Sequence, residues 1–245
     1  MSPEALGQII DSNVALARRF DAVTAERHRQ LTVEFVTSKH WFPHDDLELT
    51  DEILVTIAAN AVIPILNLHP WLYRMVSEIV VWPTADRRLR TTGSAITGAL
   101  GEGVMSAIGE ATPNSGPVAI AWDSARWQSR NPHLGENVVI HELCHKLDMS
   151  DGYSDGLPPL RGEGLEVFAA IFHDEFEHVD DRPSDDVLRP YAWTNRAEFF
   201  AVTSEMFFCV PQRLKDAKPH LYEALSSFFM QDPATDWAHH QAGSR

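Results

Sequence analysis

The stretch Asn137-Val-Val-Ile-His141-Glu142-Leu-Cys-His145-Lys-Leu-Asp148-Met149 limits what this chain can fold into more than any other. Asn137 is a good N-cap, and the apolar run after it buries the first turn of a helix. Positions four apart lie about 40° apart around a helix, one turn up. His141 and His145 therefore share a face, with Glu142 beside it. In an apolar interior two imidazoles and a carboxylate are costly unless something partners them. A divalent ion is such a partner. Zinc suits it, because it accepts imidazole and carboxylate, keeps a fourth position open and lowers the pKa of bound water to about 7. The plain alternative is a helix whose histidines only pack or cap. The five-residue pattern alone arises by chance in roughly a few chains per hundred, so the apolar surroundings carry the metal reading.

A catalytic site of this type needs a third protein ligand, and spacing leaves four candidates. Asp148, three residues past His145, is better placed to orient a histidine from behind than to ligate. Glu163 and Glu166 open a further helix. Glu198 begins the run Glu198-Phe-Phe-Ala-Val-Thr-Ser-Glu205-Met-Phe-Phe, apolar apart from two acids seven residues apart on one stripe. That pair looks like a ligand and its supporter. Glu198 is also three residues past Asn195, however, which is a capping-box position. Spacing alone does not decide between these acids.

Around this centre the chain reads as helices, then strands, then helices, so the expected class is α+β, with a small mixed sheet beside the histidine-bearing helix of a zincin-like domain. At 245 residues one domain over 1–245 is expected, with a helical segment at 1–48 and a flexible tail at 236–245. Thr50-Asp51-Glu52 starts a helix running to about Asn67. Ser77 to Trp82 and Gly116 to Trp122 read as strands, the second as an edge to which an extended peptide could add. Thr91 to Gly109 reads as loop. Helices are expected at 137–149, 163–178, 195–209 and 218–230, with loops at 150–162 and 179–194. Cys144 and Cys209 are the only cysteines and make no disulfide framework; Cys144 reads as a buried filler.

Two separated blocks carry a resemblance. His141-Glu-Leu-Cys-His-Lys-Leu-Asp-Met149, with the Gly152 and Pro-Leu loop after it, and Asn195-Arg-Ala-Glu198-Phe-Phe-Ala-Val-Thr-Ser-Glu205-Met-Phe-Phe208 resemble the Mlc titration factor A family of zinc peptidases. The region from Ile79 to Trp122 and the end segment Phe228-Phe-Met-Gln-Asp-Pro233 are similar as well. The resemblance implies a gluzincin whose catalytic core is similar to that of anthrax lethal factor. It implies one Zn2+ per chain on His141, His145 and Glu198, with Glu142 as general base. Asp148 and Glu205 stay as supporting candidates. Tyr191 stands seven residues before Glu198, where that group can place a tyrosine facing the site, and its hydroxyl would steady an oxyanion.

The function expected is that of a zinc peptidase, an aminopeptidase-like regulatory enzyme acting on peptides. The rival, which the resemblance also implies, is a binding protein that sequesters a transcriptional repressor of sugar uptake, its zinc mainly structural. With 35 acidic against 20 basic residues the formal charge is −15, which repels phosphate backbones and anionic membranes. Neither nucleic acid nor a membrane is an expected partner. No secretory leader is visible at the N-terminus and the longest apolar run is interrupted, so the expected location is the cytoplasm.

Overall fold

The computed structural model describes residues 1–85, 116–160, 162–177 and 187–235. Helix α1 (Pro3–Asn13) is capped by Ser2, and α2 (Ala22–Ser38) by Asp21, whose side chain accepts from Thr24 N. The first forty residues do read as helix, but Val14, with ψ 84°, and a 3-10 turn at Ala15–Arg19 split them. Thr50 caps α3 (Asp51–Ala61) as its hydroxyl predicts. The helix stops six residues before the expected Asn67. Pro64 has no N–H and disfavours helical geometry in the residue before it. The buried run beyond therefore winds through tight turns such as Ile65 N to Val62 O and Leu66 N to Ile63 O.

Among the described residues the sheet has three strands, in the order β1 (His40–Pro43), β2 (Glu78–Trp82), β3 (Val118–Ala121). Both pairings are parallel, with His40 opposite Glu78 and Ile79 opposite Val118. The expectation is a mixed sheet; the described strands pair in parallel only. The path from β1 to β2 runs through α3, the kind of crossover that parallel pairing requires. β1 is legible only in the structure, because it is four residues long and mostly exposed and so shows no hydrophobic alternation. Gly116 to Trp122 is strand only at Val118–Ala121. Trp122 starts α4 (Trp122–Arg130), which points just Ala125 and Ser129 into the core. Among the described residues β3 is an outer strand of the sheet.

Helix α5 (Val138–Asp148) packs against β3, α3 and above all α7 (Arg196–Cys209). α6 (Glu163–Glu177), α8 (Pro211–Ala217) and α9 (Pro219–Phe229) complete the layer. Phe168 and Phe172 of α6, Phe199, Phe200, Phe207 and Phe208 of α7, and Phe228 and Phe229 of α9 interlock at ring distances of 4.1 to 6.4 Å. Every residue of α7 from Glu198 to Cys209 is buried. Arg19 closes its C-terminal end by donating to Phe208 O at 2.7 Å and Cys209 O at 3.0 Å. This packing makes α7 a rigid mount for the two acids it carries. The loop expected at Thr91 to Gly109, residues 179–186 of the loop expected at 179–194, and the tail at 236–245 lie outside the described residues. No helix among the described residues is long and apolar enough to cross a membrane.

Candidate metal centre

Helices α5 and α7 are each begun by an asparagine, and both caps set the site. Asn195 Oδ1 accepts from Glu198 N at 2.9 Å, fixing the first turn of α7 with Glu198 facing α5. The capping-box reading of Glu198 is thus half met. The asparagine caps the helix, while the glutamate side chain turns to the histidines. Asn137 Oδ1 accepts from Ile140 N at 3.2 Å, its amide donates to Asn60 Oδ1 at 2.8 Å, and its backbone N–H donates to Glu205 Oε2 at 2.7 Å. One cap therefore ties α5 to α3 and α7 together.

Two helical turns of α5 deliver His141 and His145 to the mouth of this arrangement, their rings 4.8 Å apart and nearly perpendicular. His141 Nε2 lies 3.1 Å from Glu198 Oε2 and 3.1 Å from His145 Nε2, and His145 Nε2 lies 3.4 Å from the same oxygen. His141, His145 and Glu198 form the one group of three possible metal ligands among the described residues. Glu163 and Glu166 sit exposed at the start of α6, outside that group.

The opposite edge of His141 explains what the converging atoms need. Glu205 Oε1 is 2.5 Å from His141 Nδ1, and both groups are about 1% exposed. Glu205 also receives the Asn137 N–H and an Arg189 Nη2–H, so it can only accept, and His141 Nδ1 must donate to it. In the neutral form that can ligate a metal, the lone pair of His141 then sits on Nε2, facing Glu198 Oε2. Three electron-rich atoms at 3.1 to 3.4 Å call for a cation between them. A tetrahedral ion with bonds of 2.0–2.1 Å has ligand edges of about 3.3 Å, so the spacing fits zinc. Local charge points the same way. Burial opposes a positive His141, yet Glu205 and Glu198 outweigh it and push the ring up to about 10. Burial alone would raise the Glu198 carboxyl, but His141 and His145 hold it well below the usual carboxylate range.

Glu142 is buried beside the ligands, close enough that its charge acts on His141, Lys146 and Tyr191. Tyr191 lies in a 3-10 turn (Pro190–Trp193), its ring 6.1 Å from that of His141. Burial first, then the Glu198 carboxylate, pushes its hydroxyl well above the ordinary tyrosine value, so it stays a donor. Asp148 takes another place from the one its spacing suggests. Its Oδ1 accepts from Gly156 N at 2.9 Å and it bonds neither imidazole, because at the last turn of α5 it faces the following loop. Burial and the nearby Asp155 push this carboxyl up to about 7. Gly156 itself has φ +77°, and a Cβ there would meet Arg196 O at 2.2 Å, so glycine is required where the loop crosses the start of α7. Cys144 is buried and free, in keeping with a filler.

Two residues of the site are not legible as functional in the sequence. Asn60 gives one signal in the sequence, as a polar residue interrupting the apolar run from Ile53 to Leu68. Its amide donates to Thr56 O and Ser129 Oγ while its oxygen receives Asn137. Arg189 gives no signal, since its partners Glu205 and Glu136 are distant in sequence.

Comparison with known proteins points to a metallopeptidase family. The family described as glucose-regulated metallo-peptidase M90 matches residues 1–230. An uncharacterized protein of Synechocystis sp. is 32% identical over 203 residues, covering 81% of this chain and 74% of the relative. Mlc titration factor A of Pectobacterium atrosepticum is 30% identical over 217 residues, covering 85% and 80%. The protein of that name from Yersinia pestis is 27% identical over 235 residues, covering 90% and 83%. With the match spanning nearly the whole chain, this protein belongs to the glucose-regulated metallo-peptidase M90 family, alongside relatives named Mlc titration factor A.

Proposed function

We propose that this protein is a zinc-dependent peptidase of the gluzincin type, with His141, His145 and Glu198 holding one zinc ion. The convergence of two imidazole nitrogens and one carboxylate oxygen at 3.1 to 3.4 Å carries the reading. When bound, the ion supplies Lewis acidity that eases proton loss from water and polarises a peptide carbonyl. Three protein ligands would leave a bound ion room for water or substrate, as a catalytic site requires. Glu142 takes the proton of the attacking water and returns it to the leaving amine. Tyr191 donates a hydrogen bond to the carbonyl oxygen as negative charge grows there. Glu205 holds His141 in the tautomer that ligates. An extended peptide lying along β3 would bring its carbonyl past the ligands. An aminopeptidase-like substrate class, action in the cytoplasm and a single catalytic domain over 1–245 belong to the same reading.

The test is turnover of a peptide and aminoacyl panel with and without chelator, alongside Glu142→Gln. That variant should keep its zinc and lose hydrolysis. If it cleaves peptides as fast as the parent, the assigned base is wrong.

A second reading has its own support in the name shared by two relatives, Mlc titration factor A. Here the protein binds a transcriptional repressor and the metal is mainly structural. The formal charge of −15 suits a basic, DNA-binding partner. A metal shell closed by a fourth protein ligand would favour this reading.

A further inference from the structure

Arg189 stands where the two halves of the proposed machinery meet. Its Nη2 donates to Glu205 Oε1 at 2.5 Å, the oxygen that also receives His141 Nδ1, and its Nη1 lies 3.5 Å from Glu136 Oε1. Glu136 immediately precedes Asn137, the cap of α5. The residues just after Arg189 form the turn that carries Tyr191, and the guanidinium carbon is 5.8 Å from that ring centroid. Exposed ion pairs are worth little, but this one is not exposed on its acidic side. Glu205 is 1% accessible. A carboxylate so deeply buried is costly without a cation and a full set of donors. Arg189 provides that cation, and its planar fork can meet carboxylates on two elements at once.

We infer that Arg189 is a positioning residue acting at two points. It holds Glu205 in the accepting orientation that keeps the His141 lone pair on Nε2. It also anchors the turn that places the Tyr191 hydroxyl. The inference rests on the metal reading above. Lysine keeps the charge but lacks the fork, so it restores the first role only in part and the second hardly at all.

The experiment measures zinc affinity by competition with a chromogenic chelator for the parent, Arg189→Met and Arg189→Lys. Thermal unfolding of each metal-free form runs in parallel. Loss of a residue that orients a ligand typically weakens metal binding by roughly 10- to 100-fold. That loss is expected for Arg189→Met, with a smaller one for Arg189→Lys. If the methionine variant does not fold, the lysine variant carries the test. At zinc saturation Arg189→Lys should also lower kcat with KM little changed, and this loss should vanish in a Tyr191→Phe background. Variants that bind zinc within twofold of the parent would overturn the first role. A kcat loss that persists without the tyrosine hydroxyl would overturn the second. A parent that binds no zinc would fail the metal reading itself, an outcome distinct from either.

Discussion

Replacing Asn137 with alanine removes two separable things, and their sizes can be worked from the structure. The first is the N-cap of α5, Oδ1 to Ile140 N, whose loss costs about 1 kcal/mol. The second is the donor to Asn60 Oδ1. Asn60 is wholly buried, and its amide nitrogen is already committed to Thr56 O and Ser129 Oγ, so it cannot turn to find another partner. A buried acceptor left unpaired costs about 1–3 kcal/mol. The sum is about 2–4 kcal/mol. In a chain of this size each kcal/mol moves the melting point by about 2–4 °C, so metal-free Asn137→Ala should melt roughly 5–15 °C below the parent. Asn137→Ser keeps the cap and loses only the Asn60 bond, so it should fall between the two. Thermal and urea unfolding of the metal-free proteins read both differences. An alanine variant within 1 kcal/mol of the parent, or a serine variant equal to it, would show that the buried chain from Asn60 to Glu205 does not hold α5 in place.

Two further outcomes follow. His28 is buried with Nε2 2.7 Å from Ala59 O, and burial lowers its pKa to about 4. Below about 6.5 the unfolded chain takes up a proton that the folded one refuses until about pH 4. Stability from this group is therefore full above 6.5 and falls across that window, by about 1.4 kcal/mol per unit and about 3 kcal/mol in all. His28→Gln should flatten that part of the urea-stability profile, and a profile parallel to the parent would refute the assignment. Tyr191→Phe should bind zinc as the parent does but turn over peptides about 10²–10³-fold more slowly, the usual cost of losing one oxyanion donor. An undiminished kcat would remove Tyr191 from the mechanism.

The sequence exposed the metal centre because its elements advertise themselves locally. Asn137 and Asn195 cap the helices that carry the ligands, and an apolar surround made two histidines and a glutamate hard to explain otherwise. Spacing could not choose among Glu163, Glu166 and Glu198, since that choice is made by the packing of α7 on α5. Asp148 shows the limit of counting along a helix. It shares nearly the face of His145, but the chain turns after it and Gly156 N–H claims its carboxylate. β1 was hidden for a different reason. Four mostly exposed residues including a proline become a strand only because β2 offers a parallel partner. Arg189 depends wholly on tertiary closure, and its partners lie 16 and 53 positions away.

The proposed function stands or falls with one metal ion held by His141, His145 and Glu198. Metal analysis and zinc titration of the parent beside Glu198→Ala test it most directly. The expected result is one zinc per parent chain, and for the variant a weakening well beyond the roughly 10- to 100-fold cost of losing an outer partner. A parent indifferent to added zinc, or a Glu198→Ala protein that holds it as tightly, would rule this site out.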